Sequence, residues 1–535
     1  MQKIQTEILV IGGGATGTGV LRDLAMRGFD AILVEKRDLT HGTTGRFHGL
    51  LHSGARYAVK DPNAAQACIQ ENQILRRIMP ACIEDSGGFF VVTPWDDPGY
   101  ADSLIAGCHN AAIPVVEISN TQMLTEEPLL NPKISRCLRV PDAAVDSFAA
   151  AHANVASGRE HGARTLTYHE VLRLLTTEEG SDKKVVGALC HDLIHDADVT
   201  IHADVVVNAA GAWCGKIGAT AGGSTQNDSA LSVNITMRPG KGTMIAVSQR
   251  IVNTVINRCR VPSDGDILVP AHTVSIIGTT DEQVADPDHF GIQPWEVQLM
   301  LAEGEKIIPG FEQMRMLRAW AGVRPLYEEN LHGQQQDQSR DITRSFTLLD
   351  HEKRDNVPGL ITITGGKWTT YRKMAAETVD LVCKKLNTQR ECRTHLEELP
   401  HQGAAGHKYH HLGHRLERIE AEKAYGDLIC ECELVTRAEV EAAIKSGDVH
   451  TLDDIQRDLR LGMGPCQGGY CSLRAAGILY QESGGGDRVS GIRDQETGSV
   501  DRAGGDGRRS VIKTNVALRD FLEERWKGLL PVLWG

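Results

Sequence analysis

Apolar and polar positions along this chain fall into blocks whose period changes several times. Near the N-terminus a short unbroken apolar run, Ile8-Leu-Val-Ile11, sits between Glu7 and Gly12. Such a run, bounded by a glycine cluster, predicts a strand buried on both faces. Residues 4–75 then predict a glycine turn, a helix, a second strand at Ala31-Ile-Leu-Val-Glu35 and a loop. Residues 76–145 carry short mixed elements and several prolines. Residues 146–215 return to helix and strand, ending in Asp204-Val-Val-Val-Asn208. Residues 232–330 predict strands and then helix, with turns around Gly240, Asp264 and Gly278. Gly359-Leu-Ile-Thr-Ile-Thr364 predicts another strand, followed by a glycine pair and a helix from about Thr370. Strands alternating with helices place the chain in the α/β class.

The last third reads differently. Six histidines fall between His395 and His414 without regular ligand spacing, which favours a solvated linker over a metal site. Residues 425–480 form a compact cysteine-bearing unit, with helices expected at Arg437 to Ile444 and Leu452 to Leu459. Residues 483–511 are Gly, Asp, Arg and Ser with few apolar positions, the composition of a flexible segment. An apolar pattern returns at Val516, Leu518, Phe521, Leu522, Trp526, Leu529 and Leu530. A helix there either packs back on its own domain or docks on a partner or a membrane surface.

Composition narrows the function classes. The 535 residues suffice for two to four domains. A formal net charge of −13 argues against a nucleic-acid partner, because neutralising phosphates needs a basic face. No apolar run of ~18 residues is present, so no membrane-spanning helix is expected. The N-terminus enters a strand pattern at once, without the basic-then-apolar layout of a signal peptide, which points to the cytoplasm. Nine of the 13 cysteines are scattered singly, as small buried hydrophobes are in a reducing compartment; the other four form two tight pairs.

Gly12-Gly-Gly14-Ala-Thr-Gly17 follows a strand and opens a helix. In that setting Gly12 permits the tight turn, Gly14 lets the backbone approach a pyrophosphate, and Gly17 lets helix and strand pack closely. The helix start offers N–H groups and a positive dipole end to the anion. Glu35 ends the second strand 21 residues after Gly14, where a carboxylate accepts from ribose hydroxyls and repels a 2′-phosphate. The motif predicts a dinucleotide and leaves NAD and FAD open. Two later turns favour FAD. Asn208-Ala-Ala210-Gly211 follows a buried strand, and Gly365-Gly366-Lys367 follows another before a helix. A second glycine turn so far along the chain suits the longer reach of FAD.

Cys430-Glu-Cys432 and Cys466-Gln-Gly-Gly-Tyr-Cys471 form C-x-C, 33 residues, then C-x4-C. Four thiolates can hold a [2Fe–2S] cluster. Zinc ribbons usually take C-x2-C at both ends, so the spacing argues against zinc without eliminating it.

Taken together, Ile11–Gly17, Gly49-Leu-Leu-His-Ser-Gly-Ala-Arg-Tyr57, Gly278-Thr-Thr-Asp281, Gly322-Val-Arg-Pro325, Gly365-Gly-Lys-Trp-Thr-Thr-Tyr-Arg372 and the cysteine unit resemble the FAD-dependent glycerol-3-phosphate dehydrogenase family, above all the large flavin-bearing chain of its anaerobic branch. The cysteine unit is similar to the bacterioferritin-associated-ferredoxin type of [2Fe–2S] domain. The resemblance implies a Rossmann-type FAD-binding domain with an inserted α+β substrate domain, as in D-amino-acid oxidase, plus a small helical [2Fe–2S] domain. The expected division is 1–75, 146–215 and 340–390 for the FAD-binding domain and 76–145 and 216–339 for the substrate domain. A linker at 391–424, the cluster domain at 425–480, a flexible segment at 481–512 and a C-terminal helix at 513–535 follow.

The resemblance also implies roles. Arg56 and Tyr57 match a pair beside the substrate, and Arg324 and Arg344 match arginines that suit a phosphate dianion. His52 matches a histidine close to the flavin and is the expected base; Lys367 matches a lysine near the flavin, catalytic with His52 and Arg324. Gly12, Gly14, Gly17, Glu35, Ala210, Gly211, Gly365, Gly366 and Lys367 are expected to hold FAD, and Cys430, Cys432, Cys466 and Cys471 the cluster. One departure stands out: Lys241-Gly-Thr243 is followed by Met244, where some relatives carry a histidine. The implied reaction is oxidation of sn-glycerol 3-phosphate by hydride transfer to FAD. Electrons would pass through the cluster to partner subunits and membrane quinone, with the chain peripheral on the inner face of the membrane. A dehydrogenase or oxidase of amino acids or 2-hydroxy acids, with the same fold, is the alternative.

Overall fold

The computed structural model of the protein describes residues 2–179, 182–220, 233–328, 345–400, 412–423, 426–482 and 505–534. Its first sheet has eight strands, built around Gln2–Ile11. That strand pairs in parallel with Ala31–Val34 on one side and Ala197–Asn208 on the other. Arg164–Leu166 extends the sheet in parallel beside Ala31–Val34, and Leu360–Gly365 pairs in parallel with the end of Ala197–Asn208. The hairpin His169–Glu179 and Asp182–Asp192 and the strand Phe346–Asp350 add antiparallel edges.

The central strands are covered on both faces, which is why their sequence is continuously apolar. On one face Ile8 and Val10 pack with Leu21 and Leu24 of helix Ala15–Met26 and Val379 and Val382 of helix Tyr371–Lys385. On the other, Leu9 and Ile11 pack with Ile201, Val206 and Leu360.

The second sheet has nine strands. Its spine is the long antiparallel pair Met237–Val247 and Met316–Tyr327. Val274–Gly278, Ile267–Ala271, Val255–Arg258, Gly88–Val92 and Arg136–Val140 continue it. Helix Pro294–Ile307 seals one face with Val297, Met300 and Ile307. Between the two sheets lies a small one, Leu50–Leu51, Ala143–Val145 and Ile83–Glu84. The chain therefore leaves the first sheet twice to build the second.

One stretch differs from the solvated linker expected at 391–424. Residues 390–399 pack against the first domain: Leu399 is buried, and the carbonyls of Thr394 and Glu397 accept from the fully buried Arg22 guanidinium. A buried guanidinium without acceptors would cost several kcal/mol, about 1–3 per unmet hydrogen bond, and this strap supplies them. Four of the six histidines, at 401, 407, 410 and 411, lie outside the described residues, as does most of 483–511.

The cysteine unit combines a hairpin, Leu428–Cys430 and Val435–Thr436, with helices Arg437–Lys445, Leu452–Leu459 and Cys471–Tyr480. Thr436 and Thr451 cap the first two helices in reciprocal capping boxes. The C-terminal helix runs Gly505–Trp534 and packs back on its own chain. Ala517 and Phe521 enter the core of the cysteine unit, and Gly528 lies against Arg318 and Ala319 of the second sheet. Among the described residues no helix is long and apolar enough to cross a membrane.

Candidate flavin site and cysteine centre

A single cavity of about 1640 Å³ runs from the glycine turn to the face of the second sheet. That exceeds the roughly 300–1,000 Å³ of an ordinary small-molecule pocket, as a dinucleotide plus a substrate requires. At its first end the glycines are dictated by contact. Gly12 has φ +113, and a Cβ on it would stand 2.7 Å from the Ala209 carbonyl oxygen; a Cβ on Gly17 would stand 1.8 Å from the Gly12 carbonyl oxygen. Glu35 is half-buried against this turn: its carboxylate accepts from the Gly13 N–H at 2.7 Å and the Arg37 N–H at 3.0 Å. Burial pushes its pKa up and these backbone donors oppose the rise. The start of the helix is partly closed by Thr44, whose hydroxyl accepts from the Ala15 N–H at 3.0 Å. Gly14, Glu35, Ala210, Gly211, Gly365, Gly366 and Lys367 all line the same cavity, and Gly211, Gly365 and Gly366 hold left-handed backbone there. This set fits FAD: a glycine turn and an acid at one end, and a second glycine turn further along one continuous cavity.

The far end gathers His52, Arg56, Tyr57, Arg324 and Lys367. His52 and Tyr57 stack edge to face at 5.3 Å, and the Lys367 ammonium lies 4.3 Å from the centre of the Tyr57 ring. The His52 backbone is pinned on both sides, its N–H donating to Thr369 Oγ1 at 3.1 Å and its carbonyl accepting from Asn72 at 3.1 Å. Arg56 is mostly buried. Its Nη2 donates to the buried Asp266 carboxylate at 2.9 Å and to the Ser263 carbonyl at 3.3 Å, while Nη1 is buried with no hydrogen-bond partner among the described residues. Arg324 is held differently: its terminal nitrogens donate to Asp281 at 2.7 Å, to Thr279 Oγ1 at 2.6 Å and to the carbonyls of Thr280 and Lys241. Arg344 lies outside the described residues.

Met244 lines the cavity where the histidine of some relatives would be. Lys241 does not reach it; its ammonium is buried against Glu296 at 2.7 Å, and that carboxylate also accepts from the Thr243 and Thr280 hydroxyls. Sequence reasoning missed His48. It lines the cavity, accepts the Leu50 N–H on Nδ1 at 3.3 Å, and is pushed down to about 3 by burial and by the charges of Arg56 and Arg324. It is therefore a neutral imidazole with its proton on Nε2. The polar, glycine-rich stretch Gly42-Thr-Thr-Gly-Arg-Phe-His48 was the only signal for it and for Thr44.

The four paired cysteines sit together in two sets. Cys430 interacts with Cys471, and Cys432 with Cys466: the Cys471 thiol and the Gly462 and Glu433 backbone hold the Cys430 thiol well below its usual pKa, while burial pushes that of Cys432 up. A Cβ on Gly464 would lie 2.4 Å from that of Cys432, so the loop before Cys466 passes the first pair only as glycine. Among the described residues no three His, Cys, Asp or Glu side chains converge tightly enough for a single ion. Two thiol pairs side by side fit the two irons of a [2Fe–2S] cluster.

With this geometry in view, the comparisons agree with it. Residues 7–372 match the family of FAD dependent oxidoreductases, and residues 428–481 match the BFD-like [2Fe-2S] binding domain. The chain is thus a flavin-dependent oxidoreductase of D-amino-acid-oxidase-like fold with an appended iron–sulfur domain. It is 41% identical to the A1 subunit of the anaerobic glycerol-3-phosphate dehydrogenase of Haloferax volcanii, over 100% of this chain and 88% of that one. To the corresponding A-type subunit of the Escherichia coli enzyme it is 39% identical, over 99% and 94%. Among solved structures, the FAD-complexed glycerol-3-phosphate dehydrogenase of Bacillus halodurans shares the fold at TM-score 0.61 and 21% identity, covering 98% of this chain and 96% of that one. Glycine oxidase of Geobacillus kaustophilus shares it over 75% of this chain at TM-score 0.53 and 18% identity. The chain belongs to the family of anaerobic glycerol-3-phosphate dehydrogenase A-type subunits, FAD-dependent and iron–sulfur-bearing.

Proposed function

We propose that this chain oxidises the secondary alcohol of sn-glycerol 3-phosphate to the ketone of dihydroxyacetone phosphate. Bound FAD supplies the hydride acceptor. The observation that carries the substrate class is Arg56: its side chain is part of the cavity lining and its buried Nη1 meets no acceptor among the described residues, beside the equally cationic Arg324 and Lys367. An incoming phosphate oxygen would supply that acceptor through a charge-assisted bond. Arg324, tied to Asp281 and Thr279, shapes the cavity wall and adds its charge. His52 takes the hydroxyl proton; its pinned backbone and its stack on Tyr57 hold the ring in one orientation. Lys367, resting over the Tyr57 ring, places positive charge where negative charge builds during reduction.

Electrons leave through the four-cysteine centre to partner subunits and, beyond them, to quinone in a membrane the chain touches only peripherally. The names of the relatives, each one subunit of an anaerobic dehydrogenase, support an assembly of several chains. Anaerobic mixing tests the assignment. Glycerol 3-phosphate should bleach the flavin within a few turnovers' time, whereas glycerol and lactate should not. Bleaching by a 2-hydroxy acid or amino acid but not by glycerol 3-phosphate would replace this reading with the oxidase alternative.

A further inference from the structure

Among the ionic contacts that fasten the cysteine unit to the rest of the chain, two meet at the residue next to a cluster ligand. Glu433 follows Cys432 and is completely buried. Its carboxylate meets Arg460 Nε at 3.2 Å, His272 Nδ1 at 3.1 Å and the Thr273 hydroxyl at 3.1 Å. His272 and Thr273 are the turn between strands Ile267–Ala271 and Val274–Gly278, so the substrate-side sheet reaches the residue next to Cys432. Arg460 continues in the opposite direction: its Nη1 meets Asp146 at 3.2 Å. Asp146 caps helix Ser147–Glu160, its Oδ1 accepting from the Phe148 and Ala149 N–H groups, and that helix packs Val155 into the same core as the FAD-binding helix Ala15–Met26.

Arg460 thus joins Glu433, beside a cluster ligand, to a helix of the flavin domain. Both of its ion pairs are shielded, with 11% of the Arg460 side chain exposed against 0% for Glu433 and 7% for Asp146. Its backbone has φ +63, a left-handed conformation that glycine or asparagine adopts more readily. Arg460 holds it at the C-terminal cap of helix Leu452–Leu459, the usual place for a left-handed residue, and from there its side chain makes both ion pairs. A second contact, Arg457 to Asp38 at 2.9 Å, lies one helical turn away but ends in Asp454 within its own unit and does not reach the cysteines.

We propose that Arg460 is a positioning residue for the reaction, holding the cysteine centre at a set distance from the flavin cavity and so setting the rate at which electrons cross from one to the other. This rests on the reading that electrons leave the flavin through the cluster. Substrate oxidation releases two electrons, with the hydroxyl proton going to the base. The cluster accepts one electron at a time, and each transfer slows steeply with separation. Arg460 makes or breaks no bond in that step.

The test follows both centres in the holoenzyme with iron and FAD in place. After anaerobic mixing of Arg460→Met with glycerol 3-phosphate, flavin bleaching should keep its wild-type rate, while appearance of the reduced-cluster electron paramagnetic resonance signal slows about tenfold or more, the scale expected when a positioned pair shifts by about an ångström. Hydrogen exchange over residues 449–462 should rise in the unreduced protein. Asp146→Asn, which keeps the oxygen that caps the helix, should produce the same split, and Arg460→Lys should restore part of the rate. If Arg460→Met fails to fold, Asp146→Asn and Arg460→Lys decide the matter. Wild-type cluster reduction kinetics in these variants would overturn the proposal. A wild-type protein whose cluster never accepts electrons from the flavin would instead overturn the electron route on which it rests.

Discussion

Replacing Arg56 with methionine separates binding of the substrate's phosphate from everything else the cavity does. Arg56 spends Nη2 on Asp266 and Ser263 and leaves Nη1 buried without an acceptor. An unmet buried donor costs about 1–3 kcal/mol, and a hydrogen bond to a charged group contributes about 1.5–3 kcal/mol. Filling that position with a phosphate oxygen therefore adds about 1.5–3 kcal/mol of binding, which Arg56→Met forfeits. At about 1.4 kcal/mol per decade, kcat/KM for glycerol 3-phosphate should fall roughly 10- to 150-fold, mostly through KM. The protein should still fold. Asp266 loses one partner but keeps Arg260 at 2.7 Å and the Ser263 N–H at 2.5 Å, so the cost stays below the ~3–5 kcal/mol of a stripped buried charge. Anaerobic steady-state assays with an artificial acceptor, run on glycerol 3-phosphate and on glycerol, provide the measurement, with FAD content as the control. The loss should be confined to the phosphorylated substrate, with Arg56→Lys in between. Unchanged kcat/KM, or equal losses on both substrates, would refute the assignment of Arg56 to the phosphate.

Three further outcomes are expected. His52→Gln should retain FAD while flavin reduction slows ~10²-fold or more, the scale of a lost general base; an unchanged single-turnover rate would remove His52 from that role. Cys466→Ser should abolish bound iron, read by elemental analysis, and leave FAD stoichiometric; zinc in place of iron in the anaerobically purified parent protein would contradict the cluster. His48, pushed down to about 3 when folded, stays neutral while an unfolded histidine near 6.5 takes up a proton. The unfolded state therefore binds more protons below pH ~6.5. Stability is complete above that pH and falls as pH drops from there toward 3, at up to about 1.4 kcal/mol per pH unit. Thermal melts from pH 8 to 4 should show this slope together with that of His41, which burial also pushes down to about 3, and His48→Gln should reduce it without abolishing it; a variant melting in parallel with the parent protein would show that His48 does not contribute.

Local pattern made much of the fold legible. The apolar run before Gly12, the acid at Glu35 and the strand ending at Asn208 are adjacent elements of one sheet, and each announces itself within a dozen residues. The helices at 437 and 452 were equally readable, because capping threonines and an apolar face are properties of one turn of chain. At the edge of the histidine-rich stretch local pattern gave no sign that Thr394 and Leu399 are buried, because it is the carbonyls of Thr394 and Glu397, not their side chains, that satisfy Arg22. The far end of the cavity was legible only as resemblance. His52, Arg56 and Tyr57 lie within six positions, but Arg324 comes from a strand of the second sheet and Lys367 from the turn after a strand of the first, and nothing local distinguishes a cavity arginine from a surface one.

The sequence alone determined what depends on neighbours in the chain: a dinucleotide turn, two thiol pairs at cluster spacing, and the order of strands and helices. Only the tertiary structure decided what depends on desolvation and on charges brought from afar. It left Arg56 with an unmet donor, tied Arg324 to Asp281, turned His48 into a neutral donor, and joined Glu433 through Arg460 to Asp146. Hydrogen bonding within a turn is written in consecutive residues. The energy of a buried charge is set by whatever the fold places around it, and in this protein some of those partners are far along the chain, 210 residues for Arg56 and Asp266 and 314 for Arg460 and Asp146.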